Sequence, residues 1–284
     1  MSKRIRDSVV PLAALAFVLF AVQAYASDHA GELTAEFHQT YPLAADGRVS
    51  LSNINGAAHI VGWDRNEVKV DAIKYAHRQE RLDEAKIIID ASSNRVSIRT
   101  QYPEHDNNWN WGSHDNPASV EYTITVPRNA RLDKIELING GLDIKGVSGE
   151  VQASCINGTL VASELGGRAE LSTINGTLKA QLERLSASPV ELSSVNGSVS
   201  LTLPSDAQAE LEASTVHGGI SNDFGLNVDR HQWVGRDLHG KLGDGRTHIK
   251  LSNVNGAIHI EHANDGRTLS PVKNLIQEGD DDKI

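Results

Sequence analysis

The chain has 284 residues, a formal net charge of −10, one cysteine and 5% aromatic residues. An acidic chain is a poor partner for nucleic acids and anionic membrane surfaces, because both bind through lysine and arginine that replace counterions. A single cysteine excludes an intrachain disulfide, a cysteine-rich zinc site and a CxxC redox pair. The 39% hydrophobic content must therefore form an aliphatic core, and 24 glycines against 8 prolines indicate many turns.

The first 26 residues have the three parts of a secretory signal peptide. Three basic residues stand within the first six positions, the mainly apolar run Val9–Val22 follows, and Ala24–Ala26 forms an A-x-A cleavage site. The apolar run is short for a transmembrane helix. We therefore expect cleavage after Ala26 and an extracytoplasmic protein, periplasmic or secreted, without a membrane span. The competing interpretation is an uncleaved N-terminal anchor.

The segments that follow the signal are predicted mainly as strands. Val68–Tyr75 reads as a strand, and the charged segment Arg78–Ala85 has two apolar residues three positions apart, which predicts a short surface helix. Ile87–Ile89 and Val96–Ile98 are predicted strands on either side of a polar turn. Val120–Pro127 alternates apolar and polar residues until its proline ends the pattern.

An Asn-Gly pair preceded by isoleucine or valine recurs through the chain. From Asn139 the steps are 18, 18, 21 and 21 residues, the last one leading to the variant His217-Gly218. Two distant segments, Val49–His59 and Ile249–His259, have nearly the same sequence. Asn and Gly both tolerate positive φ, so each pair predicts a sharp structural turn. The turn residues are Asn55, Gly56, Asn139, Gly140, Asn157, Gly158, Asn175, Gly176, Asn196, Gly197, Asn255 and Gly256.

This spacing predicts an all-β fold, a β-solenoid (β-helix-like) built from 18–21-residue rungs that Asn-Gly pairs punctuate. Successive asparagines would then lie above one another and form a hydrogen-bonded ladder. Asn-Gly is also typical of antiparallel hairpins, so a meandering sandwich is the competing fold. We expect the solenoid over residues 27–262, with loop insertions near 102–119 and 222–246, and an acidic disordered tail over 263–284.

Several of these segments together resemble a known family. The strand that ends in Thr125–Pro127, the segment Leu137–Ile144 and the Ile-Asn-Gly rungs after it are similar to the putative-adhesin domain family of exported bacterial proteins with β-strand repeats. The resemblance covers roughly Val49 to Ile260. It implies a β-solenoid fold and an extracytoplasmic, non-enzymatic role, and it offers no catalytic residues. The sequence departs from the plain repeat at the two predicted insertions.

The first insertion holds the candidate ligand-binding residues. Trp109 and Trp111 are two positions apart, so in an extended loop they would point the same way and offer stacking faces for a sugar. Asn108 and Asn110 would then supply hydrogen bonds. In the competing interpretation, the tryptophans fold back and cover the edge of the solenoid.

Metal binding and catalysis have weaker sequence signals. His105-Asp106 and His114-Asp115 share the same loop, but the sequence has no HExxH motif or EF-hand loop. The carboxylates of the repeats are scattered, and a G-x-S-x-G elbow is absent. We therefore expect no metal, no cofactor and no catalytic residues, and we interpret Cys155 as a small buried side chain.

The sequence as a whole predicts a non-enzymatic, adhesin-like binding or structural module of the bacterial cell envelope. Its partner would be an unknown envelope glycan or protein. Two other functions remain open: a polysaccharide-active enzyme on a β-helix, and a homo-oligomeric envelope scaffold that assembles through open solenoid ends.

Overall fold

A computed structural model describes residues 32–103, 117–230 and 234–275 of the chain. The predicted signal peptide and the candidate residues Trp109, Trp111, Asn108 and Asn110 lie outside these ranges, so they stay predictions. In the part that is described, no helix is both long enough and apolar enough to cross a membrane.

Strands dominate the described residues, and one short helix, α1 (Gln79–Glu84), stands where the sequence predicts it. The strands of the first half are β1 (Leu33–Pro42), β2 (Arg48–Asn55), β3 (Ala58–Trp63), β4 (Glu67–Ala76), β5 (Lys86–Ser92), β6 (Arg95–Gln101), β7 (Ser119–Pro127), β8 (Arg131–Asn139), β9 (Leu142–Lys145), β10 (Val151–Asn157) and β11 (Leu160–Ser163). Those of the second half are β12 (Ala169–Asn175), β13 (Leu178–Gln181), β14 (Val190–Asn196), β15 (Val199–Leu203), β16 (Ala209–His217), β17 (Ile220–Asn222), β18 (Asp229–Arg230), β19 (Arg236–Leu242), β20 (Thr247–Asn255), β21 (Ile258–His262) and β22 (Val272–Asn274).

These strands form two sheets that enclose one aliphatic core. The first sheet has the order β1-β4-β7-β3-β9-β11-β13-β15-β21-β17. The second has the order β18-β19-β16-β20-β14-β12-β10-β8-β2-β6-β5, and β22 pairs with β19. Inward and outward side chains alternate along each strand, as period-two patterning requires. The chain is thus all-β with a β-solenoid-like architecture, and parallel pairing contradicts the antiparallel meander.

The repeating unit of the stack is a pair of strands, one in each sheet, joined at an Asn-Gly corner. In one such unit, β10 ends at Asn157, the chain turns at Gly158, and β11 starts at Leu160. Neighbouring units pair in parallel and in register, so that Asn157 lies opposite Asn139 on one side and Asn175 on the other. A single unit cannot bury its own apolar face, so the core exists only when units stack.

The order of the units in space differs from their order in the chain. The unit β2–β3 lies between β6–β7 and β8–β9, although it precedes both in sequence. At the other end, β20–β21 lies between β14–β15 and β16–β17. Asn255 therefore neighbours both Asn196 and His217. The two nearly identical segments, Val49–His59 and Ile249–His259, form these two inserted units.

Antiparallel strands cover most edges of the stack. At one end β5 pairs with β6, and β4 pairs with β7. At the other end β19 pairs with β16, while the first sheet ends in the three-residue strand β17. Part of the predicted 222–246 insertion is therefore a strand, because β16 offers it an open edge.

The prediction of a disordered tail from residue 263 onward is wrong for part of that segment. Residues Val272–Asn274 form β22 on the outer edge of β19. Ser270 is buried, and its hydroxyl donates to the carbonyl of Ala207 at 2.7 Å. The acidic residues on which that prediction depended follow residue 275, outside the described ranges.

A column of inward side chains runs beside the Asn-Gly corners and is polar for most of its length. In spatial order its members are Thr100, Asn53, Leu137, Cys155, Thr173, Ser194, Asn253 and Thr215. Burial raises the pKa of the Cys155 thiol, and its Sγ donates to the carbonyl of Gly140 at 3.2 Å. Cys155 is thus the small buried side chain that the sequence predicts.

Two threonines of this column should respond to the same substitution with opposite signs. The buried Thr173 hydroxyl has no hydrogen-bond partner among the residues that the structure describes, whereas the Thr215 hydroxyl donates to the carbonyl of Gly256 at 3.1 Å. Thr173→Val should raise the free energy of unfolding by about 1 kcal/mol, because it removes an uncompensated buried hydroxyl. Thr215→Val should lower it by about 1 kcal/mol. Urea denaturation of both variants checks the prediction, and a loss of stability in Thr173→Val would contradict it.

Candidate functional site

The predicted asparagine ladder is present at the corner between the two sheets. From Asn139 to Asn255, each amide nitrogen donates to the side-chain oxygen of the asparagine in the preceding unit of the stack, and the five bonds are 2.9–3.0 Å long. In spatial order the ladder comprises Asn55, Asn139, Asn157, Asn175, Asn196 and Asn255. Because all five bonds run in the same sense, the ladder is a continuous, exposed row of amide groups.

The glycines and asparagines of the predicted turns have different roles. The six glycines have φ between +113° and +156°, whereas the described non-glycine residues with positive φ are Lys134, Glu164 and Asn264. Each glycine also approaches the backbone of the next unit closely. A Cβ on Gly176 would lie 1.9 Å from the carbonyl oxygen of Gly158. The glycine thus makes the turn and the close approach, and the asparagine contributes the ladder bond.

A second row, here called the aliphatic stripe, follows the ladder one residue earlier in each unit. Its seven side chains are 37–46% exposed although all are large and β-branched. In spatial order they are Ile54, Ile138, Ile156, Ile174, Val195, Val254 and Val216. Neighbouring strands lie about 4.8 Å apart, so the stripe is about 29 Å long. Single exposed aliphatic residues are ordinary on soluble proteins, but a contiguous row of this length marks a candidate contact surface.

A third row lies on the same outer face, two residues before the stripe. Five half-buried serines occupy it in consecutive units: Ser154, Ser172, Ser193, Ser252 and Ser214. The outer face of the second sheet therefore presents an apolar row between a row of hydroxyl groups and a row of amides. We call these three rows together the ribbed face.

The histidines of the first sheet make local pairs. On its outer face, the Nδ1 atom of His59 lies 3.7 Å from a carboxylate oxygen of Asp143, which raises the pKa of His59. At the edge of the same sheet, His38 lies 2.8 Å from Asp71, and that carboxylate raises its pKa. In the ranges that the structure describes, no group of three or more histidine, cysteine or acidic side chains could hold a metal ion.

Sequence reasoning predicted the ladder but missed the stripe. The isoleucine or valine before each Asn-Gly pair was visible in the sequence, but it was used only to recognise the repeat. Alternation places that residue on the outer face, because the residue before it, such as Cys155 or Thr173, is buried. That inference was available from the sequence once the direction of the alternation was known.

The comparisons with known proteins identify a family. The model of the Toastrack DUF4097 family matches residues 36–261. No curated protein matches the sequence.

Solved structures to which the chain is similar include a putative cell adhesion protein from Clostridium sporogenes, with 13% identity, 80% of this chain and 100% of that chain covered, and a TM-score of 0.47. A putative lipid binding protein from Parabacteroides distasonis has 8% identity, coverage of 80% and 96%, and a TM-score of 0.33. A putative adhesin from Bacteroides fragilis has 12% identity, coverage of 80% and 97%, and a TM-score of 0.25. The chain belongs to the Toastrack DUF4097 family, which agrees with its resemblance to putative-adhesin domains.

Proposed function

We propose that this protein is an exported, non-enzymatic binding module of the bacterial envelope, and that the ribbed face binds a linear polysaccharide. In this proposal the 18–21-residue rung is the unit that repeats the binding groups. The signal peptide predicted over residues 1–26 would deliver the module to the periplasm or to the cell surface.

The aliphatic stripe is the observation that carries the proposal. Stability alone does not require seven exposed isoleucine and valine side chains in register, because the core between the sheets is already filled by separate inward residues. Water ordered along a continuous apolar row is released when a partner covers it, which favours binding.

The rows that flank the stripe favour a glycan as the partner. Serine hydroxyls and asparagine amides both donate and accept hydrogen bonds, as sugar hydroxyl groups also do. The faces of sugar rings carry C–H groups that can pack on isoleucine and valine. All three rows repeat with the strand spacing of about 4.8 Å, so the surface suits a ligand that repeats its own groups along a line.

A binding experiment tests this proposal directly. The mature protein from Ser27 is titrated against a panel of envelope and extracellular glycans. We expect Ile156→Thr/Ile174→Thr to weaken the affinity for the bound glycan at least tenfold, about 1.4 kcal/mol. Threonine preserves the strand propensity and removes half of the apolar surface of each residue.

Two further variants separate the competing explanations. Val61→Thr changes a valine that is 40% exposed on the first sheet, and it should leave binding unchanged. Trp109→Ala/Trp111→Ala tests the loop that the sequence nominated. Loss of binding in the tryptophan variant with full binding in the isoleucine variant would assign recognition to the loop and contradict the ribbed face. Release of shortened glycan chains during the incubation would favour the enzyme alternative.

A further inference from the structure

Three arginines lie side by side at one end of the second sheet. Arg48 of β2 is in register with Arg95 of β6 on one side and with Arg131 of β8 on the other. All three side chains are exposed on the outer face, because the residue after each of them is completely buried. Neighbouring strands lie about 4.8 Å apart, and like charges directly opposite each other destabilise a sheet.

Neighbouring acidic groups compensate this charge only in part. Arg48 lies 3.4 Å from a carboxylate oxygen of Asp133. Arg95 has no ion pair among the described residues, and neither has Arg99, which is four positions further along the same face of β6. Asp90 of β5 is in register with Ser97 on the same face but forms no ion pair with Arg95 or Arg99 among the described residues. In a chain with a net charge of −10, these arginines thus form a local concentration of positive charge.

Arg48, Arg95 and Arg99 line a depression in the outer face. Its volume is about 560 Å³. The charged groups of its lining are Arg48, Arg95, Arg99, Lys134, Asp133 and Glu136. Within this lining, Arg48 is paired with Asp133, and Lys134 lies 3.6 Å from Glu136. These two ion pairs leave Arg95 and Arg99 as a surplus of two positive charges.

Serine hydroxyl groups lie between these arginines. Ser97 is between Arg95 and Arg99 on β6, and the Ser50 hydroxyl donates to the Ser97 oxygen at 3.0 Å. The hydrogen of the Ser97 hydroxyl thus remains available to a ligand. The Cα atoms of Arg95 and Arg99 are about 13 Å apart in an extended strand, so their long side chains can converge over Ser97.

We propose that this depression is a binding site for a tetrahedral oxyanion, a sulfate or phosphate group. Guanidinium groups pair with such oxygens through two parallel hydrogen bonds, and these charge-assisted bonds are strong. A tetrahedral anion presents oxygens in several directions, so arginines on adjacent strands and a serine hydroxyl can bind it simultaneously. A carboxylate offers only two oxygens. The bound anion also removes the repulsion within the arginine row.

Two kinds of ligand present a sulfate or phosphate group: the free ion, and a polymer that carries the group. The full-length mature protein is titrated calorimetrically with sodium sulfate and sodium phosphate at low ionic strength, and sodium chloride of matched ionic strength is the control. Dextran sulfate and uncharged dextran form the second arm. We expect sulfate and phosphate to bind where chloride does not, and tighter binding of dextran sulfate would identify a polymer-borne group as the ligand.

Substitutions of the two surplus arginines locate the site. Arg95→Gln/Arg99→Gln should weaken sulfate binding at least tenfold. Without sulfate, its melting temperature should be no lower than that of the parent, because the substitution removes repulsion between arginines. Arg95→Lys/Arg99→Lys keeps the charge without the planar fork and should show an intermediate loss. Arg184→Gln, an exposed arginine on a connecting segment, should have no effect.

The site adjoins the ribbed face on strands β2, β8 and β10 but shares no residue with it, so the two proposals fail independently. Ile156→Thr/Ile174→Thr should bind sulfate like the parent. Equal responses to chloride and sulfate, or unchanged sulfate binding in Arg95→Gln/Arg99→Gln, would overturn the oxyanion site.

Discussion

Replacement of Gly176 by alanine should lower the free energy of unfolding by about 4 kcal/mol, which combines about 1–3 kcal/mol of backbone strain with a similar cost of overpacking. Gly176 has φ +156°, and an added Cβ would lie 1.9 Å from the carbonyl oxygen of Gly158. The contact is with backbone of the adjacent unit, so a change of rotamer cannot relieve it. Chemical denaturation with urea, followed by circular dichroism, measures the loss.

Gly141→Ala is the matched control for this prediction. Gly141 lies one residue after an Asn-Gly pair, at the position that Thr159 occupies in the next unit. A Cβ there would be 3.7 Å from the nearest atom, an ordinary van der Waals contact. This variant should stay within about 0.5 kcal/mol of the parent or gain stability, because alanine restricts the unfolded chain. Equal losses in the two variants would show that close approach of the units is not what requires glycine.

Replacement of Asn53 by alanine should cost about 3 kcal/mol, because it breaks a fully buried hydrogen-bond network. The Asn53 amide donates to the carbonyls of Val120 at 2.8 Å and Gly56 at 3.1 Å. Its oxygen accepts from the Thr100 hydroxyl at 2.8 Å, and Thr100 is itself bonded to the Tyr122 hydroxyl. Alanine would leave these buried partners without compensation. The loss is measured by urea denaturation.

Asn253→Ala provides the comparison, because Asn253 has the same position in the inserted unit at the other end. Its amide donates to the carbonyl of Gly197 at 2.7 Å, but its oxygen has no hydrogen-bond partner in the described part of the chain. We therefore expect a loss of about 1 kcal/mol, clearly smaller than at Asn53. A larger loss in Asn253→Ala than in Asn53→Ala would contradict the assignment of the stabilisation to the network around Thr100.

The local parts of the fold could be predicted because they depend on short-range patterns. Val120–Pro127 alternates apolar and polar residues, and it forms a strand whose apolar side chains face the core. The ladder followed from the constant position of asparagine beside glycine, since in-register stacking places equal positions opposite each other. The helix at Gln79–Glu84 followed from helical spacing in a charged segment.

The candidate surfaces could be predicted less well, because each depends on long-range pairing. The aliphatic stripe requires the direction in which Ile174 points, which the burial of Thr173 decides. The arginine row requires that residues 48, 95 and 131 be neighbours, although 47 and 36 residues separate them along the chain. Taken alone, the sequence around each of these arginines indicates only the beginning of a β-strand.

The sequence by itself determined that this protein is built from β-strands, that Asn-Gly pairs form its corners, and that its core is aliphatic. These features depend on φ preferences and on period-two alternation, which act within a few residues. Only the tertiary structure decided the order of the units, with β2–β3 and β20–β21 each inserted between units that are distant in sequence. Strand pairing through the backbone accepts many partners, so the choice among them depends on buried contacts such as the bond from Asn53 to Val120, which form only when the whole stack assembles.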